Sequence, residues 1–261
     1  MITSNQNPKL KLVRSLLGRS KERHEAKAFV VEGVRLVEEA LAAKWTMKFV
    51  FYTSGLSERG RELIKKLEMK NIEVEQVSDP LLNSFSETEN PQGILAVLNH
   101  VQLPIPQSLD FILIPDKIRD PGNLGTLLRA AAAAGVQAVF LPPETTDAFS
   151  PKVVRAGMGA HFRLPIHSLS WDQIRIATKA LKIYLADMNG NPCWKTDFRH
   201  PLALIVGGEA EGATQVARHL ADLSVCIPMP GKAESLNAGV AGAILLFEVV
   251  RQRQFHQYHP A

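Results

Sequence analysis

The chain has 261 residues, 46% of them apolar and 21% charged, which allows one large or two ordinary globular domains and excludes an intrinsically disordered chain. The formal charge is only +4, but residues 1–35 hold Lys9, Lys11, Arg14, Arg19, Lys21, Arg23, Lys27 and Arg35 against Glu22, Glu25 and Glu32, more than the whole excess. The two cysteines, Cys193 and Cys226, lack CxxC spacing, which argues against a zinc site or redox pair and for reduced thiols in a cytoplasmic protein.

In chain order, apolar residues at 10, 13, 16 and 17 predict a helix over 9–17. A strand follows at Phe29–Val31, a helix near 34–43, and strands at Met47–Tyr52 and Ile72–Val77 around a charged amphipathic helix at 57–70. One more strand is expected at Gly93–Leu98. This alternation predicts an N-terminal α/β domain over residues 1–100. Its basic face suits a polyanionic partner, although a solvated helix surface accounts for the charge equally well.

Pro104 and Pro106 interrupt any helix or central strand, placing a linker at 101–108. Residues 109–261 restart with a buried-type strand at Phe111–Ile114, then a helix at 123–134, a strand at Val136–Leu141 and a helix at 151–158. Further strands are expected at Lys182–Ala186, Leu202–Val206 and Ser224–Ile227, before a closing helix at 235–254. Continuous apolar strands alternating with helices predict a mainly parallel sheet covered on both faces, with ligands at the C-terminal ends of its strands. The polar start, Met1 to Asn7, lacks a signal-peptide core. The most apolar run, Ala238 to Phe247, falls short of the roughly 20 residues that span a bilayer.

Three segments follow expected strands. In Pro115 to Arg129, Asn123 is placed to cap a helix that Gly135 ends. Arg129 sits among Leu127, Leu128 and five alanines, a setting in which a guanidinium needs a buried partner or an anionic ligand. In Leu202 to Gly212, a strand ends in glycines that allow close approach of a ligand to the backbone, with Glu209 next; a plain strand-to-helix turn explains it too. Its glycine spacing is not that of a dinucleotide fold. In Cys226 to Ile244, Ser235 can serve as the N-cap of the last helix. The small residues 238, 239, 241, 242 and 243 admit a close helix neighbour, across a dimer interface or within one subunit.

Together and in this order, the segments resemble the signature motifs of the SpoU-type RNA ribose 2′-O-methyltransferases of the SPOUT class. Asn123, Gly125 and Arg129 match Asn-x-Gly-x-x-x-Arg; Gly207, Glu209 and Gly212 match Gly-x-Glu-x-x-Gly. Ile227, Pro228, Met229 and Gly231, followed by Ser235, Leu236 and Asn237, match the third. Residues 9–41 resemble, less specifically, the family's substrate-binding domain. The chain departs from the family after Asn237, where Ala238 and Gly239 replace the common Val-Ser.

The resemblance implies a C-terminal trefoil-knotted α/β methyltransferase domain, a homodimer, and a smaller ribosomal-protein-like RNA-binding domain. It implies S-adenosylmethionine held near Gly207, Ile227, Met229 and Leu236, with Asn123, Arg129, Glu209, Ser235 and Asn237 as the catalytic set and no metal or membrane. Arginine is effectively always protonated, so Arg129 is expected to clamp a phosphate and stabilise a developing alkoxide rather than act as a base. Glu209 is expected to position Arg129 or accept the proton. Arg14, Arg19 and Arg23 are the expected RNA contacts. Ribosomal RNA of the 23S type is the favoured substrate; transfer RNA, a non-catalytic RNA-binding protein, or an unrelated doubly wound nucleotide enzyme are the alternatives.

Overall fold

The computed structural model describes residues 2, 6–86, 91–209, 211–231 and 234–258, with side chains through Gln254. Two units emerge: the chain up to Val101 together with Phe149–Phe162, and Gln102–Ala148 together with the chain from Arg163 on.

The first unit opens with α1 (Pro8–Gly18) and α2 (Ser20–Ala26). Then come β1 (Ala28–Glu32), α3 (Val34–Ala42), β2 (Met47–Tyr52), α4 (Glu58–Met69), β3 (Val74–Gln76), α5 (Asp79–Asn83) and β4 (Ile94–Asn99). Asn7 caps α1 by accepting from the Lys9 N–H at 2.8 Å, and Pro8 occupies the first turn, where no N–H is missed. The expected stripe is real: Leu10, Val13 and Leu16 are fully buried against Val30, Phe51 and Val97. The sheet runs β1-β4-β2-β3, with β4 antiparallel to both neighbours and β2 parallel to β3.

The unpredicted α2 overturns one expected RNA contact. Arg23 is only 4% exposed, and its Nη1 donates to the Leu16 carbonyl at 2.6 Å, satisfying the end of α1. It is a structural residue, turned inward because α2 follows α1 after a single residue. Arg14 and Arg19 remain exposed.

The second half contributes β5 (Phe111–Asp116), α6 (Pro121–Ala134), β6 (Ala138–Leu141), α7 (Pro151–Gly157), β7 (Ile166–Ser168) and α8 (Trp171–Ala177). Then follow β8 (Lys182–Pro192), β9 (Leu202–Gly207), α9 (Gln215–Leu220), β10 (Leu223–Cys226) and α10 (Ala238–Tyr258). Of these, α7 groups with the first unit, where Phe149 meets the Phe29 ring at 5.0 Å and Phe162 meets Trp45 at 5.5 Å. The other strands form one fully parallel sheet, β10-β8-β9-β5-β6-β7. Its central strands β5 and β9 are apolar over 111–115 and 202–207 because both faces are covered.

Two capping expectations are corrected. Asp120, not Asn123, is the N-cap of α6: its carboxylate accepts from the Asn123 N–H at 2.8 Å. The last helix starts at Ala238, so Ser235 precedes it, and Asn237 takes the capping role through the Val240 N–H at 3.1 Å. Gly135 ends α6 at φ 77°, as expected. The glycines of α10 serve packing within the chain. A Cβ at Gly242 would collide with Leu127 of α6, and one at Gly239 would crowd Thr126 at 3.1 Å. Among the described residues no helix is long and apolar enough to cross a membrane. Cys193 and Cys226 are free thiols.

Candidate active site

The C-terminal edge of the parallel sheet brings the three segments together. Strand β9 runs into Gly207 and Gly208, where the chain turns back on itself through an isolated bridge between Gly208 and Gly212. A Cβ at Gly207 would lie 2.5 Å from the Ala213 nitrogen, and one at Gly208 would lie 2.5 Å from the Lys117 carbonyl oxygen. These glycines therefore make room for protein backbone, and both also line the cavity described below.

The loop so formed presents Glu209, and three contacts hold it. The Asn123 amide donates to the Glu209 carboxylate, Lys117 Nζ reaches Glu211 at 2.7 Å, and the Thr214 N–H donates to Asp116 Oδ2 at 2.6 Å. From the other side, Asn237 Nδ2 donates to Asn123 Oδ1 at 2.7 Å. Asn123 thus links the start of α10 to Glu209, accepting with one end of its amide and donating with the other. Among side chains of that size only asparagine supplies both functions. Its freedom to do so follows from Asp120 having taken the cap.

Beneath this chain of bonds lies a cavity of about 750 Å³, within the size range of small-molecule sites. Gly207, Ile227, Met229 and Leu236, the four expected cofactor contacts, all line it, as do Glu209, Ser235 and Asn237. Asn123 stands behind two of these residues. Arg129 does not line the cavity: it is exposed on α6, about 9 Å along the helix axis from Asn123. Its apolar sequence neighbours Leu127, Leu128 and Ala131 point the other way, into the core. Nor does Glu209 hold it, since the partner of Glu209 is Asn123.

The far wall has no counterpart among the expected site residues. It comes from Asp187, Met188 and Asn189, where β8 continues past the expected end at Ala186, and from Arg218 on α9. Asp187 pairs with Arg218, and the Asn189 N–H together with that guanidinium holds the Asp187 carboxyl below the usual carboxylate range. The continuation is polar and reads as loop; its only sequence signal is its place at the end of a parallel strand.

Known proteins match both the sequence and the fold of this chain. The model of the SpoU rRNA Methylase family matches residues 110–247, and that of an MRM3-like substrate binding domain matches residues 7–96. The chain belongs to the SpoU rRNA methylase family. Among its relatives, the 23S rRNA (guanosine(2553)-2′-O)-methyltransferase RlmP of Bacillus subtilis is 35% identical over 251 residues, covering 95% of this chain and 98% of its own. The crystal structure of the SpoU methyltransferase AviRb from Streptomyces viridochromogenes, in complex with the cofactor AdoMet, is 30% identical with a TM-score of 0.83, covering 95% of this chain and all of that one. An AdoMet-bound rRNA methyltransferase from Sinorhizobium meliloti is 31% identical with a TM-score of 0.84, covering 96% and 97%.

Proposed function

We propose that this protein transfers a methyl group from S-adenosylmethionine to a ribose 2′-hydroxyl of ribosomal RNA of the 23S type. The observation that carries the reading is the convergence of Glu209, Ser235 and Asn237 on the cavity lined by Gly207, Ile227, Met229 and Leu236. The relatives' named substrates support the choice of RNA.

The cavity fits the cofactor by size and by its mixture of walls. Val206, Leu236 and Leu245 offer apolar surface for a nucleobase, while Glu209, Ser235 and Asn237 offer polar groups. When bound, S-adenosylmethionine supplies an electrophilic methyl group. The chain's own contribution is then positioning, the main lever on an in-line displacement. Asn237 fixes Asn123, Asn123 fixes Glu209, and Glu209 keeps its second carboxylate oxygen to orient the ribose hydroxyl or take its proton. Ser235 is exposed beside Asn237, in position to bond the ribose. Arg129 has no protein partner among the described residues, which leaves its guanidinium to pair with an RNA phosphate.

Away from the cavity, exposed Arg14 and Arg19 contact the RNA backbone. The trefoil knot and the homodimer are part of this proposal. Exposed Val240 and Phe247 on α10 provide apolar surface for the second. A cytoplasmic location goes with the substrate. The test is calorimetric titration with S-adenosylmethionine, followed by tritium transfer from the labelled donor to purified 23S rRNA. Donor binding with label recovered on ribose supports the reading; absence of donor binding overturns it.

A further inference from the structure

We infer that Asp116 is a positioning residue that holds the Glu209 loop in its working place through the Thr214 backbone N–H. The inference rests on the proposed role of Glu209 in methyl transfer and extends it to a residue outside the three motifs.

Asp116 is the last residue of β5, paired in register with Gly207. It has no solvent exposure, its Oδ2 accepts from the Thr214 N–H at 2.6 Å, and its buried Oδ1 has no hydrogen-bond partner among the described residues. Burying a carboxylate with half its acceptors unused is unfavourable, and burial pushes its pKa up. The neighbouring Lys117 ammonium goes to Glu211 and Glu144 instead. A strand end that needed only to be filled would be better served by an apolar residue.

The carboxylate holds one end of the loop, and the backbone of the next residue confines the other. Lys117, next in sequence, takes φ 56°, a conformation rare for a residue with a side chain. Its carbonyl then sits against Gly208, where the loop leaves β9, while Asp116 itself grips Thr214, where the loop re-enters the fold. Glu209 lies between this close approach and the Thr214 bond. Thr214 also caps α9, its hydroxyl accepting from the Ala217 N–H at 3.2 Å, and α9 carries Arg218 on the opposite cavity wall. One buried group therefore sets the loop bearing Glu209 and the helix bearing Arg218.

The test compares Asp116→Ala, Asp116→Asn and Thr214→Pro in the full-length protein. Amide hydrogen exchange in the loop 208–214 should rise about tenfold or more in Asp116→Ala, without exchange rising across the central strands. The kcat for RNA methylation should fall by a similar factor with KM for RNA little changed. Asp116→Asn keeps an acceptor for Thr214 and should recover most of both losses. In a Glu209→Gln background, Asp116→Ala should add little further loss, because it acts through the same carboxylate. Should Asp116→Ala fail to fold, Thr214→Pro removes the donor at a φ of −65°, which proline adopts, and should reproduce the kcat loss beyond that of Thr214→Ala, which removes only the capping hydroxyl. Unchanged loop exchange, a loss fully additive with Glu209→Gln, or no rescue by asparagine would overturn the inference. A wild-type protein that methylates no RNA would instead defeat the methyltransferase reading, while the exchange arm still decides whether Asp116 holds the loop.

Discussion

Replacing Asn123 by alanine isolates the side chain that links Asn237 to Glu209. The helix is not at risk, because Asp120 keeps its bond to the backbone N–H of residue 123 and alanine is a good helix former. The change removes the bond accepted from Asn237 at 2.7 Å and the bond donated to Glu209. A hydrogen bond to a charged partner contributes about 1.5–3 kcal/mol, and the exposure of Glu209 brings that toward the lower end. A net loss of about 1–2 kcal/mol in positioning corresponds to a fall of about 5- to 30-fold in kcat. Asn123→Asp should be worse, since it puts a second carboxylate against the first. Single-turnover transfer of tritiated methyl to rRNA measures the effect, with a thermal melt on the same samples as control. Alanine within about twofold of wild type would refute the linkage, as would a melting temperature that falls in step with the activity.

Other perturbations separate packing from function. Gly242→Val forces a side chain into the space of Leu127 and should cost about 1–3 kcal/mol in urea denaturation; unchanged stability would mean that α10 is not seated on α6 as described. Arg14→Ala with Arg19→Ala should weaken RNA binding and reduce its salt slope by about 0.7–0.9 for each phosphate no longer neutralised. Arg23→Ala should leave that slope alone and lower stability by about 1–3 kcal/mol, since it strips the Leu16 carbonyl of its donor. Cys193 is fully buried and its thiol is pushed up to about 11, by burial first and Glu248 second. It should therefore resist iodoacetamide at about pH 8 until the protein is denatured. Because the folded-state value is raised, this group's contribution to stability is complete below the unfolded thiol range. It disappears as pH climbs through about 11.

The residues differ in how openly the sequence announces them. Phe111–Ile114 and Leu202–Val206 are legible as parallel strands because burial on both faces leaves them no polar positions, and both proved to be central. The helix ends were harder. Asp120, Asn123, Ser235 and Asn237 are all competent caps by chemistry, and only the three-dimensional arrangement decides which ones cap and which reach across to a neighbour. Charge was a poor guide at Arg23, whose burial depends on a seven-residue helix too short to show periodicity. The edge strand β7 has three residues and left no pattern either. Local apolar context also misled at Arg129, whose flanking leucines face the core while it faces outward. Asp116 was invisible for a different reason: a lone aspartate at a strand end carries no signal until its partner, 98 positions away, is in view.

The most direct test of the central claim is a map of 2′-O-methylation across all RNA from cells with and without this gene. The account predicts that one ribose of 23S-type rRNA loses its methyl group in the absence of the gene and regains it with the wild-type protein but not with Glu209→Gln. Loss of a base methylation, loss confined to transfer RNA, or an unchanged map would contradict it.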